Sequence, residues 1–162
     1  MQWREVIEHP SLKDLPFKIE TNEWGKIVMT PASGTHVLYQ GIIIKWFNRL
    51  AEQGITTPEC PIETSRGTKV ADVAWGSAEF FRKHGAIILS FPECPEIVVE
   101  VISPSNSSAE MDEKRELYFE AGAKEFWLCD EYGDMCFFNP GGELERSEIF
   151  GKFPGHIEIT VS

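Results

Sequence analysis

The chain has 162 residues, 42% of them hydrophobic, a size and composition that suit one domain with a conventional core. Its 15 basic and 26 acidic residues leave a formal charge of −11, which excludes strong nonspecific adhesion to nucleic acid or anionic lipid through a basic field. No stretch has the length of a membrane span, no signal-like pattern opens the chain, and Cys60, Cys94, Cys129 and Cys136 form no CxxC pair, so a cytoplasmic protein with reduced thiols is expected.

In chain order, "FKIETNEWGKIVMTP" (17–31) predicts a hairpin in which two β-prone runs flank an Asn-Glu-Trp-Gly turn. Residues 33–54 have a helical period, with His36, Gln40, Ile43, Phe47 and Leu50 on one face and Gly54 placed as a C-cap. "ECPIETSRGTKVADVAWG" (59–76) reads as two strands joined by a Ser-Arg-Gly-Thr turn, and 77–95 as a long mixed loop with one short helix. The run "IVVEVI" (97–102) is a buried strand that stops at Ser-Pro-Ser-Asn. Ser107 and Glu110 have capping-box spacing, so a helix starts there and ends at Gly122. "EFWLCDEYGDMCFFNPGGE" predicts a hairpin around Glu-Tyr-Gly-Asp, and "HIEITV" (156–161) alternates like a final edge strand. The sum is a single α+β domain.

Three charged residues stand against this pattern. Side chains alternate along a strand, so Glu100 shares its face with Val98 and Ile102 in a run apolar on both sides. An unpaired carboxylate there would cost several kcal/mol, on the order expected for buried charge. It must be protonated, paired with a cation or bound to a metal. Asp72 repeats the anomaly in "KVADVAW", and Lys114 falls on the inward stripe Met111, Lys114, Tyr118, Ala121 of the following helix. Two buried acids suit a hard divalent ion such as Mg²⁺, and an inward lysine can orient water or offset charge on a phosphate. The set therefore points to metal-assisted phosphodiester hydrolysis.

"KVADVAW", "PEIVVEVISPSNSSAEMDEKRELYFEAGAKEFWLCD" and "FPGHIEI" resemble the bacterial "putative restriction endonuclease" family within the PD-(D/E)XK nuclease superfamily, as does the hairpin segment "KIETNEWGKIVMTPASGTH". The resemblance covers roughly residues 16–160. It implies a restriction-endonuclease-like α+β core, a central mixed sheet flanked by helices, with the site where two strands diverge. By motif, Asp72 matches the first metal-binding acid, with Ala71 in place of the motif's proline, and Glu100 matches the second. Ile102 stands where the motif has lysine, and Lys114 is the candidate replacement. The resemblance adds Glu20 as a further acid, while His36 and Gln40, on the inward helix face, are candidates to line the cleft.

The resulting expectation is an Mg²⁺- or Mn²⁺-dependent endonuclease acting on DNA, with a homodimer suited to cutting both strands. Asp72 and Glu100 hold metal, and Lys114 assists the water. Arg66 and Lys69, or Arg82, Lys83 and His84, are candidates to touch phosphates, and Phe80 and Phe81 to stack on bases. The alternatives are a noncatalytic interaction module on the same fold and paired-carboxylate glycoside hydrolysis, which needs no lysine.

Overall fold

The computed structural model describes residues 1–85 and 88–161. The buried acids lie on two neighbouring strands of the main sheet, β4 (Gly67–Gly76) and β5 (Ile97–Val101). Among the described residues, the main sheet runs β3 (Ile55–Thr64), β4, β5, β6 (Glu125–Cys129), β7 (Met135–Asn139), β8 (Gly142–Leu144). Only β5 and β6 are parallel, joined by helix α4 (Ser108–Glu120); the other neighbours are antiparallel. A separate antiparallel ribbon of β1 (Phe17–Thr21) and β2 (Ile27–Pro31) packs on β4.

Each face of the sheet has its own core. On one, helix α2 (Gly34–Leu50) lays Tyr39, Ile43 and Phe47 against Val73, Trp75, Ile97, Val99 and Trp127. Phe47 stacks on Trp127 with ring centroids 5.0 Å apart and planes 11° from parallel. On the other, Tyr118 of α4 joins Ala74, Val98 and Phe126. The mixed sheet between helices matches the expected α+β class.

Boundaries differ where chemistry beyond periodicity intervenes. Helix α2 closes at Ala51, whose N–H reaches the Phe47 carbonyl. Gly54 is not its cap: at φ +81° it turns the chain into β3, where a Cβ would collide with the Gly76 carbonyl. In 77–95 the short helix is α3 (Ala78–His84), capped by Ser77; residues 86 and 87 of that stretch lie outside the described residues. Ser107 Oγ accepts from Glu110 N as a cap should, but the Glu110 carboxylate turns to Asn106. The expected edge strand at 156–161 does not form. Met135 N donates to Gly155 O and Ile157 N to Gly133 O, which buries Ile157 while the rest of the alternating segment finds no ladder. Helix α1 (Trp3–Glu8) and β8 were not foreseen by periodicity.

All four cysteines are free thiols. Among the described residues no helix is long and apolar enough to cross a membrane. Phe47→Ala is expected to lower unfolding stability by about 3–5 kcal/mol, the usual scale for an aromatic side chain lost from a core, as read by urea denaturation.

Candidate active site

The site begins where the ladder between β4 and β5 stops. β4 and β5 pair through Trp75–Ile97, Ala74–Val98 and Val73–Val99. One step further would set Asp72 opposite Glu100, but there the strands part. The Val101 N–H donates instead to Asp72 Oδ2 at 2.8 Å, a side chain satisfying the backbone donor at the divergence. The two carboxylates, each residue 2% exposed, sit in the resulting wedge.

Three other elements converge on it. Lys18 and Glu20 alternate with the outward residues of β1 and so share its inner face. Lys18 Nζ lies 3.0 Å from Asp72 Oδ1 and 3.0 Å from Glu100 Oε2. Glu20 Oε2 accepts from Val70 N at 2.7 Å and from Lys114 Nζ at 2.9 Å. From α4, Lys114 also stands 3.5 Å from Glu100 Oε1, and Tyr118 Oη donates to the same oxygen at 2.8 Å. From α2, His36 Nε2 is 3.2 Å from Asp72 Oδ1, and Gln40 Nε2 donates to the Asp72 carbonyl at 2.9 Å.

The turn after β5 sets the approach of α4. Ser103 N and Oγ both donate to Asn106 Oδ1 at 3.0 Å, folding the chain back so that Ser107 can start the helix over the wedge. Ser103 and Asn106 also border a cavity of about 20 Å³ that reaches Lys18, His36, Asp72, Glu100 and Lys114.

Electrostatics divide the carboxylates. Burial works against ionising Asp72, but Lys18, the His36 contact and the Val101 N–H outweigh it and hold its carboxyl well below the usual range. Glu20 is likewise lowered, by Lys114, Lys18 and Val70 N–H, against the cost of burial. Glu100 goes the other way. Complete burial, aided by the Asp72 and Glu20 charges, overrides Lys114 and Lys18 and pushes its pKa up to about 7. Burial disfavours the charge on Lys18, yet Glu100, Asp72 and Glu20 hold its ammonium well above the ordinary lysine value.

All six residues singled out from the sequence, Asp72, Glu100, Lys114, Glu20, His36 and Gln40, therefore meet in one cluster. Lys18 was missed, although its two-residue spacing from Glu20 on a predicted strand put both on one face. Ile102 lies just past β5, where its N–H extends the pairing to Cys129 O. Four of the five candidate phosphate contacts are otherwise engaged: Arg66 pairs with Glu113, Lys69 donates to Thr21 O, and Lys83 and His84 both contact Glu93, while Arg82 borders a depression away from the cluster, beside Ile55 and Phe81. Phe80 is buried against Phe81, His84 and Phe91.

Could the cluster hold a metal? Among the described residues no group of three or more His, Cys, Asp or Glu side chains is disposed to bind one. Two carboxylates, however, are the usual protein share for Mg²⁺, which keeps much of its water. The Lys18 ammonium shows that Asp72 and Glu100 can direct one oxygen each at a shared cation. Hard oxygen donors around a stand-in cation fit Mg²⁺ or Mn²⁺, with Glu20 committed to supporting Lys114.

The mixed sheet opens between β4 and β5 around two buried acids, and the proteins this chain is similar to are described as nucleases. The family model Uma2, described as "Putative restriction endonuclease", matches residues 16–156, and the chain belongs to that family. No curated protein sequence matches it. Among solved structures, it is similar to a crystal structure from Anabaena variabilis ATCC 29413 described as "a putative nuclease belonging to DUF820". The TM-score is 0.76 at 19% identity, covering 98% of this chain and 95% of that one, a likeness of fold.

The raised Glu100 carboxyl gives a pH signature. Between its ordinary value of 4.5 and about 7, the folded state keeps a proton that the unfolded chain has released. The Glu100 contribution to stability is thus full below pH 4.5, falls as pH rises through this window and is flat above it. The loss is on the order of 3 kcal/mol. Asp72, shifted oppositely, loses its contribution only as pH falls below its ordinary value of 3.8. In urea titrations with EDTA at pH 5 and pH 8, Glu100→Gln is expected to lack most of the wild-type decline; parallel declines would contradict the assignment.

Proposed function

We propose that the protein is a metal-dependent endonuclease that hydrolyses phosphodiester bonds in DNA, with Asp72 and Glu100 as the ligands of Mg²⁺ or Mn²⁺. The observation that carries this reading is the single point at which one oxygen of each acid meets a cation at 3.0 Å. When bound, the divalent ion supplies Lewis acidity, lowering the pKa of a bound water and offsetting phosphate charge.

The chain's own residues prepare that point. Val101 N–H and His36 Nε2 orient the Asp72 carboxylate, and Gln40 pins its backbone. Tyr118 Oη fixes Glu100 Oε1, leaving Oε2 directed at the shared position. Glu20 anchors Lys114, so its ammonium is held beside Glu100 as a fixed positive charge. In this role Lys114 would stabilise negative charge building on the phosphoryl oxygens and orient the attacking water, the tasks of the motif lysine that Ile102 replaces. Substrate would enter past Pro31 and Ala32, the exposed residues that border the cavity. The family supports DNA as the partner, and a homodimer would offer one such site to each strand.

A second reading, a noncatalytic module on a nuclease fold, draws on the closed state of the cluster: every acid already has a cation, and the cavity is only about 20 Å³. Cleavage of single- and double-stranded DNA with Mg²⁺ or Mn²⁺ separates the two. Asp72→Ala, Glu100→Ala and Lys114→Gln are each expected to lower activity by roughly 10²-fold or more, the scale for loss of a charged transition-state contact. Activity surviving all three changes refutes the mechanism, and a wild-type protein that folds but cuts neither substrate favours the noncatalytic module.

A further inference from the structure

We infer that Lys18 is a tethered cation filling the divalent-ion position between Asp72 and Glu100, and that it must withdraw before a metal can enter. The inference rests on the proposed metal site and adds a gate to it. Its ammonium contacts the same two oxygens that would ligate the ion, Asp72 Oδ1 and Glu100 Oε2, at 3.0 Å each. Mg²⁺ sits about 2.0–2.1 Å from its oxygen ligands and retains several waters. With the Lys18 ammonium in contact with both oxygens, an ion cannot come to that distance from the two of them while Lys18 stays.

Both lysines pair with two carboxylates, but the Lys18 side chain is the more exposed of the two, 12% against 7% for Lys114. The ribbon is anchored independently of Lys18: Glu20 Oε2 holds Val70 N at 2.7 Å, and Thr21 Oγ1 holds Thr68 N at 2.8 Å. The lysine can therefore swing without undocking β1. It also borders a second, outer depression of about 290 Å³ beside Trp3, Phe17 and Glu59, which offers the withdrawn ammonium open space and a carboxylate. In the absence of metal, Lys18 keeps two buried acids paired; in its presence, the apparent affinity is reduced by the fraction of molecules in which Lys18 has withdrawn.

The test titrates the full-length wild type, Lys18→Met and Asp72→Asn with Mn²⁺ by calorimetry. It also measures acetylation of Lys18 in the wild type, with and without saturating Mn²⁺, by mass spectrometry. If the withdrawn state is populated at a tenth or less, Lys18→Met binds Mn²⁺ about tenfold tighter or better. Mn²⁺ likewise raises Lys18 labelling, while Asp72→Asn loses binding. Wild-type binding that Asp72→Asn abolishes, with Lys18→Met no tighter or labelling unchanged, overturns the gate and leaves the metal site standing. Absence of Mn²⁺ binding in both wild type and Lys18→Met removes the metal site and the gate together. Should Lys18→Met fail to fold, the labelling of the wild type decides alone.

Discussion

Everything around the site answers to one constraint: two carboxylates buried side by side must share a cation. Asp72 and Glu100 come together because the β4–β5 ladder ends at Val73–Val99 and leaves the next pair unbonded. Two charges so placed would repel and be starved of water, and each unpaired ion would cost several kcal/mol, on the order seen for broken buried pairs. The ammonium of Lys18 between them relieves both problems. The ribbon, the Ser-Pro-Ser-Asn turn and the α4 helix are the means by which cations and hydrogen-bond donors reach a point that the sheet alone would leave intolerable.

The wider charge pattern follows the same logic. Three acids, Glu20, Asp72 and Glu100, face two lysines, Lys18 and Lys114. With all five ionised the cluster carries one excess negative charge, and Glu100, the most deeply desolvated, is the acid that takes up a proton to cancel it. That imbalance is what a divalent ion would correct. On the proposed function, the bound metal and Lys114 would supply the positive charge that a polyanion needs from a chain of net charge −11, at the site instead of spread over the surface.

The acids and Lys114 were legible in the sequence because a charge inside an apolar period contradicts its neighbours. Asp72 among Val70, Val73 and Ala74, and Glu100 among five consecutive buried strand residues, could not be read as ordinary surface. His36 and Gln40 were legible as the polar end of an otherwise apolar helix stripe. Lys18 was not, because β1 is short, its neighbours Phe17 and Ile19 are not fully buried, and its role depends on a partner 54 residues away. The failed strand at 156–161 is the converse case. Alternation shows that a segment has two faces, but a strand also needs a neighbour with free backbone groups, and there the chain is held through Gly133 and Gly155 instead.

The most direct measurement is a crystal structure grown with Mn²⁺ and recorded at the manganese absorption edge. The account requires an anomalous peak about 2.1 Å from Asp72 Oδ1 and Glu100 Oε2, the distance of a hard divalent ion, with the Lys18 ammonium moved out of contact with both. Full occupancy of that point by Lys18, with manganese bound elsewhere or not at all, would contradict it.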